Sequence, residues 1–106
     1  MSLTDKKCVP CEGGALPLSR AEAETLRKET PEWQLLGAKC ISRSFAFKNF
    51  AQALAFANKV GALAEEEGHH PDLHVEWGRV TIVLSTHAIG GLSVNDFILA
   101  AKIDTI

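Results

Sequence analysis

The stretch EGHHPDLHVEWGRVTIVLSTH, residues 67–87, decides the fold, because apolar residues recur in it at every second position. The two apolar runs are Leu73, Val75 and Trp77, then Val80, Ile82 and Leu84. A period of two is typical of a β-strand with one buried face. Gly78-Arg79 lies between the runs and suits a two-residue turn, so the stretch predicts a β-hairpin.

This turn determines which residues of the two strands face each other. It places Trp77 opposite Val80 and Val75 opposite Ile82, so apolar side chains meet across the hairpin. That agreement supports the register, since a slip by one residue would move every side chain to the other face. Trp77 then lies on the apolar face, and we expect it in the core.

All four histidines of the chain lie in this same stretch. Extending the register beyond Pro71 places His70 opposite His87. The hairpin would therefore gather His69, His70 and His87 at its open end and leave His74 in mid-strand.

The rest of the chain alternates helices with pairs of strands. The patterns predict helices near 19–29, 49–67 and 93–104, and strands at 33–36 and 39–47. Ser19 with Glu22, and Ser93 with Asp96, resemble capping boxes at the starts of two helices. Helices interleaved with hairpins predict an α+β fold of order α-β-β-α-β-β-α. We expect a four-stranded antiparallel sheet with helices packed on one face.

The helix predicted at 49–67 ends in three acidic residues before Gly68. Acidic side chains at a helix C-terminus oppose the helix dipole, and such local conflicts sometimes mark functional sites. The favoured interpretation for Glu66 and Glu67 is nevertheless a solvated charge run.

Length and composition narrow the class of protein. A chain of 106 residues predicts one domain, and residues 1–17, rich in Gly and Pro without periodicity, predict a mobile leader before a domain at 18–106. A net charge of -2 with no basic run argues against a nucleic-acid partner. The sequence has no apolar stretch long enough for a membrane span and no secretory signal, so we expect a cytoplasmic protein.

The three cysteines, Cys8, Cys11 and Cys40, are an odd number, which argues against a disulfide framework. Cys8 and Cys11 form a CxxC pair that would suit half of a zinc site or a redox pair. The favoured interpretation is a leader without chemistry, because the pair lies in a polar segment.

The gathered histidines leave three interpretations open. Three histidines can hold a catalytic zinc, but adjacent residues of an extended chain, such as His69 and His70, point in opposite directions. Acid–base chemistry is favoured, because histidine titrates near neutral pH and a cluster can supply both a donor and an acceptor. The third interpretation is a set of hydrogen-bonded polar positions.

These residues resemble the signature of the pterin-4a-carbinolamine dehydratase family. The matching residues are Glu65, His69, His70, Pro71, Trp77, His87 and Asp96, each at the expected spacing. The stretch THAIGGLSVNDFILAAKID, residues 86–104, is similar to bacterial members, and the resemblance covers roughly residues 15–106. One departure is Leu73, where many members carry an aromatic residue that would stack on the substrate.

The resemblance implies a dehydratase that uses neither a metal nor an organic cofactor. Its substrate would be 4a-hydroxytetrahydropterin, its product quinonoid dihydropterin, and its assembly a homodimer or homotetramer. The resemblance assigns catalysis to His69, His70 and His87, with His70 nearest to both proton transfers. The supporting or substrate-binding residues would be Glu65, Asp96, Pro71, Ser85 and Thr86. Because Glu65 lies one turn before the predicted helix end, we expect it to reach back toward His69.

The resemblance implies that the reaction serves tetrahydrobiopterin recycling, but the wider family leaves alternatives. It includes a transcriptional coactivator role and relatives that act in assembly, so a non-catalytic binding module on the same fold is one alternative. Pterin chemistry linked to the molybdenum cofactor is another.

Overall fold

Helix ends in the structure coincide with the capping signals in the sequence. The computed structural model describes residues 3–8 and 16–106. Its helices are α1 (Arg20–Arg27), α2 (Phe50–Glu67) and α3 (Val94–Ile103). At the start of α1, the side chain of Ser19 accepts from the Glu22 amide, and the Glu22 carboxylate accepts from the Ser19 amide at 2.9 Å. This reciprocal capping satisfies two amides that the first turn of a helix leaves without partners.

Four strands form one antiparallel sheet. They are β1 (Gln34–Leu36), β2 (Cys40–Ala46), β3 (Asp72–Glu76) and β4 (Arg79–Leu84), in the sheet order β1-β2-β4-β3. The predicted α+β class and the order α-β-β-α-β-β-α are confirmed.

The core lies between one face of the sheet and the helices. In β4, Val80, Ile82 and Leu84 are fully buried, whereas Thr81 and Val83 between them are only partly buried. Other large apolar side chains of this core are Trp33, Ile41, Val60, Leu92, Phe97, Leu99 and Ile103. The alternation continues past the end of β4, because Thr86, two residues after Leu84, is also buried.

The predicted register of the β3–β4 hairpin is wrong by two residues. Val75 pairs with Val80, and the turn is Trp77-Gly78 in place of Gly78-Arg79. Arg79 instead pairs with Glu76, and their side chains form an ion pair at 3.0 Å across the strand ends. A shift of two residues preserves the parity of each strand, so the buried face remains as predicted.

The corrected register also corrects two expectations that depended on it. Trp77 lies in the turn with 69% of its surface exposed, so its expected place in the core is wrong. The β3–β4 ladder ends at the pair Asp72–Val83. His70 therefore does not face His87, which begins a short 3-10 turn, His87–Ile89.

Part of the segment that the sequence assigns to a leader packs against the domain. Leu3–Asp5 form a 3-10 turn beside α3, and Leu3 is buried in the core. Cys8 and Cys40 are free thiols. Cys11 lies outside the described residues, so the prediction about the CxxC pair does too. None of the helices in the described part of the chain is long and apolar enough to cross a membrane.

Candidate active site

His69 is oriented by a buried carboxylate on another element. It directly follows Gly68, whose φ of 67° ends α2 in the left-handed conformation. The His69 amide still bonds back to the Ala64 carbonyl at 3.2 Å, which fixes the backbone of His69 against the helix. From there the Nε2 atom of its ring lies 2.6 Å from Oδ1 of Asp96 in the first turn of α3.

Asp96 joins three parts of the chain through its two oxygens. It is fully buried, and its Oδ2 accepts from the Thr86 hydroxyl at 2.9 Å and from the Ser93 amide at 3.0 Å. The hydroxyls of Thr86 and Ser93 also lie 2.8 Å apart. An ionised carboxylate only accepts hydrogen bonds, so Nε2 of His69 is the donor to such a carboxylate, and in a neutral imidazole Nδ1 is then the acceptor nitrogen.

Glu65, which was expected to reach His69, is the carboxylate partner of His70. Its Nε2 hydrogen-bonds Oε2 of Glu65, which lies in the last turns of α2, and both side chains are exposed. The expectation that Glu65 reaches His69 is therefore wrong, because His69 turns toward Asp96. Each of the two adjacent histidines thus has its own carboxylate.

His87 lines a cleft that also contains Thr86, a partner of Asp96. The cleft encloses about 290 Å³ and is lined by Lys39, Cys40, Ser85, Thr86, His87, Gly90 and Gly91. This volume is close to the lower end of the range typical of small-molecule sites. Thr86 belongs both to the cleft and to the carboxylate network, so hydrogen bonds connect His69 to the cleft through Asp96.

The remaining candidate site residues lie in different parts of the structure. Ser85 and Thr86 line the cleft, whereas Pro71 precedes β3 and cannot donate to the ladder. His74 is exposed on β3 opposite Thr81, in mid-strand as predicted. Among the described residues, the three histidines are not joined to one another by hydrogen bonds, and no group of three or more His, Cys, Asp or Glu residues is placed to hold a metal ion.

Sequence patterns missed two cleft residues, Lys39 and Cys40. Cys40 is the first residue of β2 and Lys39 directly precedes it, and both reach the cleft because β2 pairs with β4 so that Ile41 faces Leu84. Strand order is not visible in a local pattern, so only the assembled sheet reveals them. The predicted capping box of Ser93 and Asp96 is present, with the Ser93 amide donating to the Asp96 carboxylate, but the sequence did not show that the same carboxylate also binds His69.

The fold and the site together define a small α+β protein whose candidate catalytic groups are imidazoles held by carboxylates. The chain belongs to the pterin 4 alpha carbinolamine dehydratase family, whose model matches residues 16–106.

Relatives of similar length support this assignment. A protein from Rubrobacter xylanophilus is 48% identical over 98% of this chain and 97% of its own length, and one from Methylococcus capsulatus is 51% identical over 99% and 93%. Both carry the provisional name pterin-4-alpha-carbinolamine dehydratase.

Solved structures resemble both the fold and the sequence. A transcriptional coactivator/pterin dehydratase from Brucella melitensis superposes with a TM-score of 0.78 at 31% identity, over 84% of this chain and 96% of that one. A pterin dehydratase-like protein described as a RuBisCO assembly factor in the alpha-carboxysome gives a TM-score of 0.60 at 29% identity, over 70% and 87%. The fold therefore has relatives described in terms other than catalysis.

Proposed function

We propose that this protein is a 4a-hydroxytetrahydropterin dehydratase, a carbon–oxygen lyase that works by histidine acid–base catalysis. The observation that carries the proposal is the hydrogen-bonded series His69–Asp96–Thr86, which ends at the cleft beside His87. Membership of the pterin dehydratase family supports the choice of substrate.

The reaction needs one proton delivered and one removed. The bond between C4a and its hydroxyl oxygen breaks, the hydroxyl takes a proton and leaves as water, and N5 loses its proton to give quinonoid dihydropterin. Positioned imidazoles suit both transfers, because histidine exchanges protons near neutral pH. We assign His70 to the position nearest both transfers, with His69 and His87 serving opposite faces of the 4a centre.

Carboxylates would prepare two of these histidines for the reaction. Asp96 and Glu65 each engage Nε2 of their histidine. A neutral imidazole that donates from Nε2 keeps Nδ1 as an acceptor. This arrangement suits the removal of a proton from N5, while Ser85 lines the cleft and Thr86 connects the cleft to Asp96.

An assay of 4a-hydroxytetrahydropterin dehydration tests the proposal directly. We expect His70→Ala to lower kcat by about 10²- to 10⁴-fold, the usual contribution of a positioned acid or base. His74→Ala is the matched control, because His74 is exposed in mid-strand opposite Thr81, and it should leave kcat unchanged. A wild-type rate equal to the uncatalysed rate, or a His70→Ala rate equal to wild type, refutes the proposal.

The proposed mechanism uses no metal and no organic cofactor. We therefore expect kcat to be unchanged after dialysis against EDTA, with elemental analysis of the same sample as the check on metal content. Loss of activity that stoichiometric zinc restores would instead support a metal-dependent hydrolase.

A non-catalytic module is the second candidate function, because two structural neighbours are described as a coactivator/dehydratase and as an assembly factor. The same assay separates the two candidates, since a binding module does not accelerate dehydration. The same assay, run with different pterins, identifies the physiological pterin as the substrate with the highest kcat/KM. That substrate distinguishes tetrahydrobiopterin recycling from pathways linked to the molybdenum cofactor.

We further propose a cytoplasmic homodimer or homotetramer without a nucleic-acid partner. The edge strand β3 supports oligomerisation, because an edge leaves backbone groups available for pairing. Sedimentation of the purified protein tests the proposed assembly, and a monomer at micromolar concentration would exclude it.

A further inference from the structure

The N-terminal residues 3–8 contact the last residue of α2 and the first turn of α3, close along the chain to His69 and Asp96. The Cys8 amide donates to Oε1 of Glu67, the last residue of α2, at 2.9 Å. The Cys8 thiol donates to the Asn95 carbonyl, in the first turn of α3, at 3.5 Å. Leu3 anchors the other end of the segment, because its side chain is buried in the core beside α3.

A largely buried ion pair lies at the same junction. Nζ of Lys102 on α3 donates to Oε2 of Glu67 at 2.8 Å, and their side chains are only 15% and 6% exposed. The expectation that Glu67 belongs to a solvated charge run is therefore wrong. The hydrogen bond from Lys102, followed by the one from the Cys8 amide, lowers the pKa of Glu67 below its ordinary value, which keeps the pair charged.

The thiol of Cys8 is not the reactive group at this junction. Burial, reinforced by the charge of Glu67, raises its pKa to about 12, so the thiol stays protonated. Only thiolates are effective nucleophiles and metal ligands. What Cys8 contributes is a backbone donor to Glu67 and a contact to α3.

These contacts lie next to the candidate catalytic residues along the chain. Glu67 precedes His69 by two residues, and Asn95 directly precedes Asp96. The end of α2 and the helix α3 are therefore joined twice, by His69–Asp96 and by Glu67–Lys102, and Cys8 contacts both elements. A relative shift of α3 would change the distance between His69 and its carboxylate.

We propose that residues 3–8 form an N-terminal clamp that positions the His69–Asp96 pair for catalysis. The clamp includes positioning residues and contains no group that acts on substrate. This inference rests on the proposed function for its kinetic consequence, but the orientation of His69 can be measured without any assay of activity.

Cys8→Pro is the decisive variant, because proline removes the amide that donates to Glu67. Cys8→Ala is its matched control, since it keeps the amide and loses only the thiol. We expect Cys8→Pro to lower kcat by about tenfold, as misplacement of a catalytic group does, with little change in KM. The ¹⁵N NMR signals of the His69 ring should shift in Cys8→Pro and stay as in wild type in Cys8→Ala.

Three outcomes overturn the clamp. A lower Tm for Cys8→Pro with wild-type kcat and wild-type His69 signals would show a merely structural role. Equal effects of proline and alanine would exclude the amide as the positioning contact. If Cys8→Pro does not fold, Glu67→Ala replaces it, because alanine removes the oxygen that accepts from the Cys8 amide. Glu66→Ala is its exposed control, and wild-type His69 signals in Glu67→Ala then overturn the clamp.

Failure of the proposed function remains distinguishable from failure of the clamp. If wild-type protein shows no dehydratase activity, the dehydratase proposal fails, and the NMR signals of His69 alone decide whether residues 3–8 position it.

Discussion

At the scale of single residues, Asp96 is the group on which the candidate site depends. It is fully buried, and its partners come from three places: the residue after α2, the segment after β4, and the cap of α3. Buried polar groups are almost always paired, because an unpaired one loses its hydration without compensation. A change in any partner of Asp96 is therefore expected to affect both stability and the orientation of His69.

Thr86 offers a clean test of this dependence. We expect Thr86→Val to lower the free energy of unfolding by about 1–3 kcal/mol, because it leaves Oδ2 of Asp96 and the hydroxyl of Ser93 short of a partner. Thr86→Ser keeps the hydroxyl and serves as the control. Urea unfolding at neutral pH measures both variants, and equal stabilities would contradict the assigned role.

At the scale of elements, the end of α2 sets the direction of the chain into the site. Gly68 ends the helix in the left-handed conformation, with its amide bonded to Ala64 and Glu65. The next residue is His69, so the cap and the candidate catalytic group are consecutive. Glycine is suited to this position because other residues pay a steric cost at positive φ.

Substitution by alanine is expected to have opposite effects on stability at Gly61, within α2, and at Gly68, which ends the helix. Gly68→Ala should lower stability by roughly 1–2 kcal/mol, because alanine is strained at a φ of 67°. Gly61→Ala, in mid-helix with open space around its Cβ position, should raise stability by up to ~1 kcal/mol. Thermal unfolding compares the two variants, and shifts of Tm in the same direction would be inconsistent with these conformations.

The strands show which features the alternation of apolar and polar residues predicts: it gives the buried face of a strand but not its register. Alternation correctly identified the buried face of β4, because burial repeats with the period of the side chains. The same pattern allows registers that differ by two residues, since both keep apolar residues opposite each other. The contact that fixes the turn is non-local: the Phe47 amide donates to the Gly78 carbonyl at 2.8 Å.

At the scale of the whole molecule, the ion pair between Glu67 and Lys102 joins α2 to α3 in a largely buried place. Removing one partner of such a pair is costly, because the other charge stays behind without compensation. The pKa of Glu67 lies below its ordinary value in the folded protein, chiefly because of the hydrogen bond from Lys102. Its contribution to stability is therefore linked to pH.

We expect Glu67→Gln to be less stable than wild type by on the order of 3 kcal/mol at neutral pH. A lowered folded pKa means that this difference is fully present above the ordinary value of 4.5 and shrinks as the pH falls through the folded value. Denaturant unfolding from pH 7 to pH 3 measures it. Glu66→Gln, at an exposed position, is the control, and a constant difference across the range would argue against the charged pair.

The sequence by itself determined the class of fold, the order of elements, the helix caps and the residues of the family signature. Each of these depends on local periodicity or on spacing along the chain, which a sequence records directly. The tertiary structure alone decided the register of the hairpin, the carboxylate partner of each histidine, the cleft residues Lys39 and Cys40, and the packing of residues 3–8. These features join parts of the chain far apart in sequence, where several pairings satisfy the same local pattern and only packing of the whole core selects one.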